Sequence, residues 1–298
     1  MKQKLTAIYA VMLFFSAVYS YAGQRDGKTN GFLDWIKMDI STEVRLNLRS
    51  LGITIPAGRN MAENQLFSEY FSQIRPFIYS IPVDSSSVLG DLVKQGELSP
   101  ETVDKLVFNA KAVPPSISTD IQDITASYTI SLNAVCSVLV DHSGGANFMH
   151  VIDPEPVASY TGIIIIAKEA LPVHGKNTSA YLAPCLFPKI WDTEMNLVFD
   201  KTMTEPHIFH ESMMISYMGS DHIFKRTPSG LSPEIEKIVG NRPLRIIAHA
   251  VFGISPTDPI IDSDDARVIL SSDINKNLLR EGRVVIITSD TVLKTNLK

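Results

Sequence analysis

The chain has 298 residues, 45% of them apolar and 20% charged, with a net charge of −5 and two cysteines. That length can bury one large core or two modest ones. No basic stripe runs along it, which excludes a reader of phosphate backbones, and no polybasic block marks a binder of anionic membrane surfaces.

Lys2 and Lys4 open the chain ahead of an apolar run from Leu5 to Tyr19. Ser20-Tyr21-Ala22 then sets small residues at both positions a signal peptidase reads, before Gly23. This is the pattern of a secretory signal peptide over 1–22. The run is short for a membrane span, which takes about 20 apolar residues; a retained N-terminal anchor is the alternative. Cleavage would leave 276 residues with 25 basic and 32 acidic side chains, a net charge of −7. Gly23 stands where a bacterial lipoprotein carries its lipidated cysteine, so that route to an anchor is closed. No later segment is apolar enough to span a bilayer, so the expected mature form is soluble and periplasmic or secreted.

Gln24 to Asn30 reads as a flexible terminus. Phe32 to Ile40 reads as a strand, and Val44, Leu46 and Leu48 alternate with polar residues as a half-exposed one. Asn60 is suited to cap a helix from Met61 to Ile74, with Leu66, Phe67, Tyr70, Phe71 and Ile74 on one face and Pro76 ending or kinking it. Ser85-Ser86-Ser87 reads as the cap of a short helix over Val88 to Lys94. Ser99-Pro100-Glu101 starts a third, running to about Ala110, which Val113-Pro114-Pro115 stops. Ser127 to Val140 reads as a strand, and Asp153-Pro154-Glu155-Pro156 as a linker or a turn between subdomains.

From Tyr160 the pattern changes. Gly162 to Ala167 is a continuous apolar run, as in a strand buried on both faces. Leu186 to Trp191, Leu197 to Phe199, Met213 to Tyr217, Leu244 to Phe252 and Val284 to Thr288 are further strands. Asp262 to Ser271 reads as a helix capped by Ser263, with Asp264 and Asp265 suited to its dipole. The expectation is an α+β fold of mixed or antiparallel sheets with a few packed helices. Two subdomains are expected, an N-terminal α+β unit over 23–155 and a β-rich unit over 156–298.

The motifs carry little chemistry. Cys136 and Cys185 permit a disulfide after export; it would close a loop of about 50 residues and contribute about 4 kcal/mol in the chain-entropy model. Two separate buried thiols are the other reading, and Cys185 lies between Pro184 and Leu186 in apolar company. His207, His210 and Glu211 suggest a metal site, but the histidines are three apart behind Pro206, not four apart on a helix. His142 and His150 flank Gly144-Gly145 without a third ligand. Asp258, Asp262, Asp264 and Asp265 lack the spacing of an EF-hand. No nucleophile elbow and no phosphate loop occurs. Asn177-Thr178-Ser179 is a glycosylation sequon that matters only in a eukaryotic secretory pathway.

Several stretches resemble a bacterial envelope family. Tyr160-Thr161-Gly162 before Ile163–Ile166 is similar to its opening strand. Ala183 to Asp192 (APCLFPKIWD) resembles its "PALFPRIYDE" segment, and Asn196 to Phe199 its "GREVY" strand. Arg242-Pro243-Leu244 and Ser263-Asp264-Asp265-Ala266 fit, and Leu278 to Ile286 resembles its closing "LLREGRVVIV". Asp34-Trp35, the helix from Met61, and Ile81-Pro82-Val83-Asp84-Ser85 with Val88, Gly90 and Asp91 follow the same order. The family is that of LPP-twenty-type lipoproteins and relatives, which include the N-terminal region of flagellar assembly protein T. The resemblance implies an envelope-associated structural or assembly part with no enzyme chemistry and no cofactor. The missing cysteine at Gly23 favours a soluble periplasmic form.

The expected function is therefore a non-enzymatic exported cell-envelope protein that works by protein–protein contact with envelope or flagellar partners. Two alternatives stand beside it. One is a small-ligand or glycan binder floored by Trp35, Tyr70, Phe71 and Trp191. The other is a metallohydrolase using His207, His210 and Glu211.

Overall fold

The computed structural model describes residues 27–150, 154, 156–222 and 230–296. The signal-peptide reading over 1–22, and Asp153 and Glu155 of the expected linker, lie outside those residues.

β1 (Gly27–Asp34) and β2 (Asp39–Asn47) form an antiparallel hairpin. The single strand expected over Phe32 to Ile40 is broken between them. Asp34 Oδ1 accepts Ile36 N at 3.0 Å and Lys37 N at 3.1 Å, and Met38 takes the left-handed conformation at φ 56°. A carboxylate that caps its own downstream amides is a turn device, and it overrides the apolar alternation. The same hairpin takes in residues 27–30 of the stretch expected to be a flexible terminus.

Helix α1 (Arg59–Tyr79) is longer than its sequence pattern indicates. Asn60 lies inside it, and Pro76 sits within its final turns without ending it. Ala62, Leu66, Tyr70, Ile74 and Ile78 recur at four-residue spacing and are fully buried against the sheet. α2 (Leu89–Gln95) and α3 (Pro100–Phe108) follow. α3 starts as expected, with Ser99 Oγ accepting Thr102 N at 3.2 Å. The serines before α2 do not cap it. Asp84 gathers Ser86 and Ser87 into a tight turn instead, while Asp91 accepts the amide of Val88.

β3 (Lys111–Ile117) and β4 (Asp123–Ser131) complete the antiparallel sheet. Val113-Pro114-Pro115, expected only as a helix stop, lies in the edge strand, where the ladder slips between Val113 and Ser116. Prolines without an N–H blunt that edge against strand addition. The strand expected to run to Val140 ends at Ser131, whose Oγ accepts Asn133 N and opens helix α4 (Leu132–Ser137).

The downstream half is built on a four-stranded parallel sheet ordered β10-β14-β5-β11. Its strands are β5 (Ile163–Ile166), β10 (Ser216–Gly219), β11 (Leu244–Ile247) and β14 (Val284–Thr288). Ile163, Ile164 and Ile165 of β5 are buried, as a strand covered on both faces requires. A small hairpin joins β6 (Leu171–Pro172) to β7 (Ser179–Ala180). A second four-stranded sheet holds β8 (Ile190–Asp192), β9 (Leu197–Phe199), β12 (Ala250–Phe252) and β13 (Asp258–Ile261). The strand expected over Leu244 to Phe252 is thus two, in different sheets.

Four helices accompany these strands: α5 (Ile208–Glu211), α6 (Pro233–Val239), α7 (Ser263–Leu270) and α8 (Asp273–Arg280). Asp262, not Ser263, caps α7, its Oδ1 accepting Asp264 N at 2.9 Å.

The architecture is α+β in two subdomains, and one apolar core runs through both. Trp35 meets Tyr217 edge-on with centroids 5.8 Å apart, and the backbone of Leu186 and Phe187 donates to Pro82 O and Val83 O. β15 (Lys294–Asn296) crosses back and pairs with Phe32–Asp34 of β1, so the downstream half closes the upstream sheet.

Candidate functional site: an aromatic band and a polar groove

The sequence-predicted residues do not converge. Trp35 and Tyr70 are fully buried, the first against Tyr217 and the second stacked on Tyr128 at 4.0 Å. Phe71 lies on the flank of α1, and Trp191 is in the downstream subdomain beside Phe252. No common floor is formed by these four.

His207 and His210 point to solvent from the short helix α5, as does Glu211. Among the described residues no group of three His, Cys, Asp or Glu side chains is placed to hold a metal ion. His142 and His150 part company: His142 Nε2 donates to Thr204 O at 2.9 Å, while His150 borders a groove.

Cys136 and Cys185 are free, and the disulfide allowed by the sequence is not formed. The physical reason is position. Cys136 donates to Met213 Sδ at 3.4 Å, whereas Cys185 lies beside Tyr217, whose hydroxyl accepts Cys185 N and donates to Cys185 O. Burial pushes both thiols up, which keeps them protonated and unreactive.

Asp258, one of the four acids of the sequence pattern, is fully buried and far from a calcium loop in character. Its carboxylate accepts Lys189 N at 3.1 Å, Trp191 Nε1 at 3.3 Å, Thr257 Oγ1 at 3.0 Å and the Ser85 hydroxyl. Burial pushes its carboxyl up, and those four donors oppose the shift. Ser85 belongs to the upstream subdomain, so this network is a joint between the halves. Beside it Gly253 has φ 118°, where a Cβ would overlap that of Ser85.

Two surface features remain. The first is an aromatic band on α1 and α3. Phe108 is 60% exposed, and its ring lies 5.4 Å from Phe67 and 5.2 Å from Phe71. Arg75 continues the band, its guanidinium 6.0 Å from the Phe71 ring and 5.8 Å from Tyr79, with Asp104 at 2.9 Å. Beyond Tyr79 opens an apolar groove of about 450 Å³ lined by Pro76, Tyr79, Val88, Gly90 and Val93. Gly90 makes it: a Cβ there would press on Tyr79 O at 3.0 Å. The sequence showed the stripe on α1 but not its extension by Phe108, which depends on how α3 packs.

The second is a polar groove of about 660 Å³ between α8 and the segment 147–150. That segment belongs to a strap held to the downstream subdomain by Ala146 N to Thr202 O (2.7 Å), His142 to Thr204 O, and a parallel stack of Phe148 on Phe199 at 6.4 Å. Glu205, Asp273, Lys276, Asn277 and Arg280 form the facing wall.

Two family models match the chain. Residues 27–138 match that of the N-terminal domain of Treponema pallidum Tp0624, and residues 162–290 match that of the second domain of the same protein. The chain is similar to two consecutive domains of that protein, in the same order. No curated protein matches the chain significantly.

Proposed function

We propose that this is a non-enzymatic, exported component of the bacterial cell envelope that works by protein–protein contact, in flagellar or other surface assembly. The observation that carries the reading is the aromatic band. An exposed ring, Phe108, backed by the half-buried rings of Phe67 and Phe71 with Arg75 beside them, has the composition of an interface hot spot. The neighbouring groove supplies the concavity that such anchors pair with. The groups whose proton affinity burial raises favour the same reading, because Asp258, Cys136, Cys185 and Tyr217 all sit inside the fold as packing and hydrogen-bonding elements. Among the described residues no helix is long and apolar enough to cross a membrane. The resemblance of several stretches to the LPP-twenty-type family supports an envelope role.

The test is a photo-crosslinking amino acid at position 108 in the native cell, followed by mass spectrometry. The expected result is one or a few envelope or flagellar proteins, lost when Phe71→Asp is added. The same label at Ile274, exposed on the other subdomain, should not capture them. Background proteins alone at position 108, or identical capture from both positions, refutes the assignment.

A further inference from the structure

Arg280 is held in an unusual way for a surface arginine. Its guanidinium stacks on Phe148 at 5.0 Å, and Nη1 donates to Gly145 O at 3.3 Å. The space it fills exists because residue 145 is glycine, since a Cβ there would stand 2.8 Å from Nη1 and 3.0 Å from Met203 O. The side chain is only 24% exposed. Glu205 is the nearest carboxylate, but Oε1 is 3.8 Å from Nη1, beyond hydrogen-bond distance. The fork is therefore immobilised by a ring and a carbonyl, while most of its five N–H donors are left for something else.

Those donors face the polar groove of about 660 Å³, and Lys276 stands one turn earlier on the same face of α8. Lys276 is tied to Asp273 at 2.6 Å, so the wall is not a general attractor of polyanions. The one phenyl ring of the groove, Phe148, already carries the Arg280 guanidinium and packs beside Phe199, which leaves it a poor floor for a sugar. A planar anion that pairs two oxygens with a fixed guanidinium edge fits better.

We propose that the groove between α8 and the strap is a carboxylate-binding site, with Arg280 as the receptor and Glu205 as a built-in competitor for it. The ligand carboxylate comes either from an acidic side chain in a peptide or from a peptide C-terminus. Either enters by displacing water from the guanidinium edge, and Glu205 lowers its affinity by offering an alternative anion a short side-chain movement away.

The experiment follows the Arg280 Nε–Hε NMR signal of the full chain, assigned by its absence in Arg280→Lys. Three probes are titrated: acetyl-Gly-Glu-Gly-amide, acetyl-Gly-Gly with a free carboxylate, and acetyl-Gly-Gln-Gly-amide. A saturable shift with one or both carboxylate probes and none with the glutamine probe is the expected result, and the tighter probe names the source. Glu205→Gln should tighten the binding about threefold or more, and Arg280→Lys should weaken it about tenfold, since lysine cannot offer two parallel N–H bonds. Glu205→Gln leaves the strap's own contacts untouched, so it reads the site even if Arg280→Lys loosens the strap. No saturable shift, an equal response to the glutamine probe, sulfate binding as tightly as the carboxylates, or weaker binding by Glu205→Gln would each overturn the assignment.

Discussion

Asp258→Ala tests whether the two subdomains are joined by hydrogen bonds as well as by apolar packing. The mutation removes the acceptor for four donors. Two of them, the hydroxyls of Thr257 and Ser85, can rotate toward other partners. The other two, Lys189 N–H and Trp191 Nε1–H, are fixed by backbone and ring. Each fixed donor left without a partner costs about 1–3 kcal/mol, which gives roughly 2–6 kcal/mol. Against this stands the cost of burying the carboxylate, visible in its raised pKa, which the mutation relieves. The net expectation is a loss of about 2–4 kcal/mol at pH 7, with Asp258→Asn losing about half as much. Urea unfolding followed by tryptophan fluorescence measures it directly, because Trp191 is itself one of the donors. The midpoint should fall with the slope unchanged. The raised carboxyl adds a sign: its burial cost is present at neutral pH and is relieved as pH falls through its folded pKa, so the wild type should gain on Asp258→Asn over that range. A loss below about 1 kcal/mol for Asp258→Ala would refute the argument.

Three further expectations follow from particular residues. Gly253→Ala should lose at least about 2 kcal/mol, since it combines a positive φ with an overlap on Ser85; calorimetry checks this, and an unchanged melting temperature would contradict it. Both thiols should resist iodoacetamide in the folded protein and react fully in urea without reductant; an intact mass showing a bridge would contradict the free, separated positions of Cys136 and Cys185. Burial pushes the Asp84 carboxyl up, but bonds from the amides and hydroxyls of Ser86 and Ser87 outweigh it and hold the group below the usual carboxylate range. That stabilisation is present above the unfolded pKa of about 3.9 and is lost as pH falls through the folded one. Asp84→Ala should therefore cost about 1–2 kcal/mol at pH 7 and progressively less below about pH 4, read from unfolding curves at several pH values.

What the sequence reveals follows the range of the forces involved. Ser99-Pro100-Glu101 announces α3 because a cap is a local device, and Ser232-Pro233-Glu234, the same device, opens α6 with Ser232 Oγ accepting Ile235 N; that signal is in the sequence and the periodicity around it hides it. Ile163–Ile166 is legible because two covered faces demand an unbroken apolar run. Ser131 and Asp34 are harder: each sits in an alternating pattern and turns the chain by bonding amides two or three residues on. Lys294–Asn296 offers no apolar residue, and only its partner β1 makes it a strand. The aromatic stripe on α1 is visible, yet which part stays in water depends on α3. The polar groove has no local signature, since the strap, Glu205 and α8 are each more than fifty residues apart in sequence and meet only in the fold.

The pairing of β15 with β1 has a kinetic meaning. Lys294 lies opposite Asp34 across 260 residues of chain. Closing a loop of that size costs more entropy than closing a hairpin, and contacts of such sequence separation form late. Until they form, the β1 side of the upstream sheet presents unpaired N–H and C=O groups, while β3 at the opposite edge is already guarded by its prolines. The nascent upstream subdomain is therefore most exposed to mispairing along β1, and completing the sheet is a late event in folding, at which self-association through that edge ceases.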